Sequence, residues 1–75
     1  MLNEMIKDCE VELKALEQAR GALRTVAHTS YANGAPLDFL DSLELTISLL
    51  SGRIANVNKI KAQCYRKLEG TERVA

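Results

Sequence analysis

Few side chains in this 75-residue sequence could carry chemistry: one histidine, His28, two cysteines, Cys9 and Cys64, and ten carboxylates set against ten Lys and Arg. A metal centre needs several His, Cys or carboxylate ligands at short, regular spacing, and His28 has no such neighbours. Its imidazolium suits the negative C-terminal end of a helix, so a structural or solvated role is expected. Two cysteines in a chain of this size do not make a disulfide framework. Both fall on apolar stripes, where a free thiol packs as a small hydrophobe. Acid–base catalysis needs a carboxylate or histidine held in a cleft with a shifted pKa. No catalytic, metal, phosphate-binding or cofactor motif is present, so no enzyme activity is expected.

The elements that position these groups are set by one breaker cluster, Tyr31-Ala32-Asn33-Gly34-Ala35-Pro36. Asn33 and Gly34 tolerate the left-handed backbone that ends a helix. Pro36, with a fixed φ and no N–H, suits the first turn of the next helix. Asp38 or Asp41 can accept bonds from the free N–H groups of that turn. The reading is one domain, residues 1–75: helix 1 at about 2–30, a turn at 31–36, helix 2 at about 36–69, and a frayed tail from Gly70 to Ala75. The fold class is all-α, an antiparallel, coiled-coil-like two-helix hairpin.

Each helix carries a heptad seam. In helix 1 it is Leu2, Ile6, Cys9, Leu13, Leu16, Arg20, Leu23 and Ala27; in helix 2 it is Leu40, Leu43, Ile47, Leu50, Ile54, Val57, Lys61, Cys64 and Leu68. Each has one polar interruption, Arg20 and Lys61. Met5 thickens the first seam and Tyr65 borders the second. Gly21, inside helix 1, costs about 1 kcal/mol against alanine and marks a bend, a close contact or a weak spot.

Charge and loop length set the orientation. Helix 1 runs from acidic (Glu4, Asp8, Glu10, Glu12, Glu17) to basic (Arg20, Arg24, His28), and helix 2 runs the same way. A hairpin therefore lays acidic starts beside basic ends, which the short turn also demands. If Ala27 faces Leu40, then Leu16 faces about Leu50 and Leu13 faces Ile54, while Asp8 nears Lys59 and Arg24 nears Glu44. This offsets Cys9 from Cys64 by about 9 Å along the axis, too far for a disulfide.

Surplus apolar surface is the functional signal. Beside the first seam runs a stripe of mostly small residues, Val11, Ala15, Ala19, Ala22 and Val26, over which another backbone can approach closely. On the far side of helix 2 lie Leu45, Ser48, Leu49 and Gly52 at i, i+3, i+4 and i+7. Contiguous exposed apolar surface marks an interface. One seam also makes a thin core for so small a domain. The expected partner-binding residues are Leu45, Ser48, Leu49, Gly52, Val11, Ala15 and Ala22. The expected working form is a homodimer completing a four-helix bundle, or a complex with a helical partner.

Other classes are disfavoured by composition. The formal net charge is zero, which leaves no surplus of Lys and Arg for phosphate backbones. The basic run Arg53, Lys59, Lys61, Arg66, Lys67 has a simpler use, because the acidic start of helix 1 folds beside it. No apolar run reaches a membrane span, and Met1-Leu2-Asn3-Glu4 lacks the basic n-region of a signal peptide, so a cytoplasmic location is expected. Small bacterial or phage regulators, assembly factors and secretion chaperones are of this kind. In outline, helix, short turn, helix, the chain is similar to the two-helix co-chaperones of type III secretion needle subunits, which hold an aggregation-prone partner. Ser42-Leu43-Glu44-Leu45-Thr46 also resembles the Ser-x-Glu-Leu-Asp stretch on the second helix of small hairpin phosphatases acting on a sporulation response regulator. Thr46 stands where that pattern has its acidic residue.

Overall fold

The computed structural model describes the backbone of residues 1–74 and the side chains of residues 1–70. Two helices pack against each other, α1 (Leu2–Ala32) and α2 (Leu37–Val74). Among the described residues there is no strand.

α1 runs two residues beyond the expected end, so Tyr31 and Ala32 are helical and the connection shrinks to residues 33–36. Its end is a Schellman motif. Ala35 N–H donates to Ser30 O at 2.9 Å and Gly34 N–H to Tyr31 O at 3.1 Å, which satisfies carbonyls the helix leaves open. Gly34 takes the left-handed position (φ +74°), whereas Asn33 stays at φ −90°. Pro36 lies just outside α2 and supplies the carbonyl that Leu40 N–H reaches at 3.1 Å. Of the two candidate caps Asp38 is used: its Oδ1 accepts Phe39 N–H at 3.0 Å. The expected stop at Gly70 is not where α2 ends, since the helix continues through that glycine to Val74. Ala75, the end of the expected tail, lies outside the described residues.

Both seams bury as the heptads dictate. Cys9, Leu13, Ile54 and Val57 form the central cluster, with Leu16 and Ile60 packed against it. Leu13 and Ile54 therefore meet as the register predicts. Ile6 and Cys64 are buried nearer the open end, and both cysteines are free thiols. The tipward seam residues Leu23, Ala27, Leu40, Leu43 and Ile47 are only half-buried. Arg20 resolves its place in the seam by turning its Nη1 to donate to Ser51 Oγ at 3.2 Å.

The two substitutable glycines act in opposite directions. A Cβ at Gly21 meets nothing within 4 Å, so neither a close contact nor strain requires glycine there. Gly21→Ala is expected to stabilise by about 0.5–1 kcal/mol, read as a rise of a few degrees in Tm. Gly34→Ala also meets open space but must hold φ +74°. It is expected to cost about 1–2 kcal/mol, and thermal melts of the two variants should move to either side of the parent.

Candidate interaction surface

The ion pair recorded between the helices joins Arg53 to Glu12, with Nε donating to Oε2 at 2.6 Å and a terminal guanidinium nitrogen to Oε1 at 3.0 Å. The expected pairs Asp8–Lys59 and Arg24–Glu44 do not close into ion pairs. Glu12 and Arg53 each precede a seam residue, Leu13 and Ile54, and in an antiparallel pair both then flank the seam on one side. Arg53, the first charge of the basic run, is thus committed to the acidic start of α1.

This pair marks one long side of the hairpin. Glu10 and Ser51 lie two residues away from it, about 200° around their helices. Their bonds fall on the opposite side: Tyr65 Oη donates to Glu10 Oε1 at 3.4 Å and Arg20 to Ser51.

Stepping from Glu12 by threes and fours along one face reaches Ala15, Ala19, Ala22 and Val26; stepping back from Arg53 by four and by seven reaches Leu49 and Thr46. All six are exposed, Leu49 at 67%. They also share one stretch of the rod. Leu49 and Thr46 lie about 6 and 10.5 Å tipward of Arg53, and Ala15, Ala19 and Ala22 about 4.5, 10.5 and 15 Å tipward of Glu12. Leu49 of α2 thus shares one side of the hairpin with the small-residue stripe of α1. Alanines form a trough along α1, with Leu49 and Thr46 beside it on α2. Toward the open end the same side holds a shallow groove of about 260 Å³, lined by Met5, Asp8, Cys9, Glu12, Arg53, Val57 and Ile60.

Of the seven expected partner-binding residues, Ala15, Ala22 and Leu49 come together on this side. Val11, Leu45, Ser48 and Gly52 are exposed as well, but further round, on the backs of their helices. Sequence reasoning missed Ile60 and the ion pair as parts of the surface. The signal for the pair was present, because Glu12 and Arg53 stand next to two seam residues already paired by the register.

A second apolar group went unnoticed at the tip, where Tyr31, Leu37 and Phe39 are exposed. Tyr31 and Leu37 line an open groove of about 340 Å³ with Ala27, His28, Leu40, Asp41 and Glu44. Leu37 and Phe39 stand at the start of α2, outside the seam spacing.

Within the stretch that resembles a phosphatase motif, Thr46 Oγ1 donates back to Ser42 O at 3.0 Å, so its hydroxyl is used within the helix. Among the described residues no three His, Cys, Asp or Glu side chains gather as a metal site needs. No helix among them is long and apolar enough to cross a membrane. No family model matches the chain, and no curated protein or solved structure matches it.

The Arg53 guanidinium holds the Glu12 carboxyl below its ordinary value of 4.5, chiefly through their hydrogen bonds. A carboxyl depressed on folding stabilises the fold fully above its unfolded value and loses that contribution as pH falls through the folded one. The parent should therefore lose stability as pH drops below about 4.5, and Glu12→Gln should show a shallower acid dependence in melts recorded from pH 6 to pH 3. Both side chains are well exposed, so the effect is small and weakens with salt.

Proposed function

We propose that this chain is a small non-enzymatic protein–protein interaction module, a cytoplasmic regulator, adaptor or assembly factor that works as half of a four-helix bundle. Its contact surface is the apolar positions that the two helices leave exposed, with Leu49 as the anchor.

The observation that carries this reading is surface left over. The molecule measures 61 × 15 × 14 Å with a radius of gyration of 17.4 Å, against about 11 Å for a compact domain of this length. Its accessible surface is 5761 Å². A compact monomer of 8.3 kDa exposes about 4,600 Å². The excess of about 1,200 Å² exceeds the 800 Å² or so that each partner buries in a standard interface. A single seam with one fully enclosed side chain, Val57, is a thin core, and a second layer against the apolar side would supply what is missing.

Light scattering combined with circular dichroism over a dilution series tests this. Association, or a monomer that is poorly helical alone and folds on a helical partner, supports the reading. A monomer of 8.3 kDa that melts cooperatively at one midpoint across all concentrations, unchanged by Leu49→Glu, overturns it.

A further inference from the structure

We draw no further inference here: the strongest candidate, the open groove at the hairpin tip where Tyr31 and Leu37 stand beside His28, Asp41 and Glu44, carries nothing, because nothing in the structure shows what covers it.

Discussion

Val57→Asp is expected to abolish the helical fold. Val57 is 1% exposed, the most enclosed side chain described, and it sits in the central cluster with Cys9, Leu13 and Ile54. No cation is buried there, so an aspartate must either desolvate its charge unpaired or take up a proton, and either costs several kcal/mol. A core of this size supplies only about 3–5 kcal/mol in all. Far-UV circular dichroism of Val57→Asp should therefore show a largely unfolded chain at 25 °C. Ala55→Asp, two residues away on an exposed position, changes stability by only about 0.5–1 kcal/mol and controls for the aspartate itself. A folded Val57→Asp variant would mean that the two seams are not the core.

Helicity should also depend on chain concentration. When folding is coupled to pairing, each tenfold dilution removes about 1.4 kcal/mol of apparent stability, so a thousandfold dilution removes about 4 kcal/mol. That is comparable to all the stability a hairpin of this size can have alone. From about 100 μM to 0.1 μM the thermal midpoint should fall steeply, and Leu49→Glu at the higher concentration should resemble the parent at the lower. A midpoint that ignores concentration would say that the single seam suffices.

Much of the fold is legible in the residues because helical order is local. The four-three spacing from Leu2 to Ala27 and from Leu40 to Leu68 says which positions face inward, and these are the positions found buried or half-buried. Asn33-Gly34 followed by Pro36 says where the chain turns, since only glycine takes φ +74° without strain. Ends are less legible. α1 passes the expected boundary because its Schellman bonds reach back to Ser30 and Tyr31. α2 passes Gly70 because a glycine weakens a helix by only about 1 kcal/mol and does not oblige it to stop.

The ion partner and the composite surface depended on tertiary structure. Rotation of each helix about its own axis is a packing outcome, and it decides which stripe of α1 lies beside which patch of α2. Spacing alone placed Ala15, Ala19, Ala22 and Val26 on one helix and Leu49 on another. The bond from Arg53 to Glu12 puts Leu49 on the same side as that stripe, with Leu45 on the back of α2. By itself, then, the sequence determined two amphipathic helices, their turn and their inward residues, because those follow from local backbone preference and periodicity. Only the packed hairpin decided that Leu49 and an alanine trough share one side, because that depends on how two rods are turned against each other.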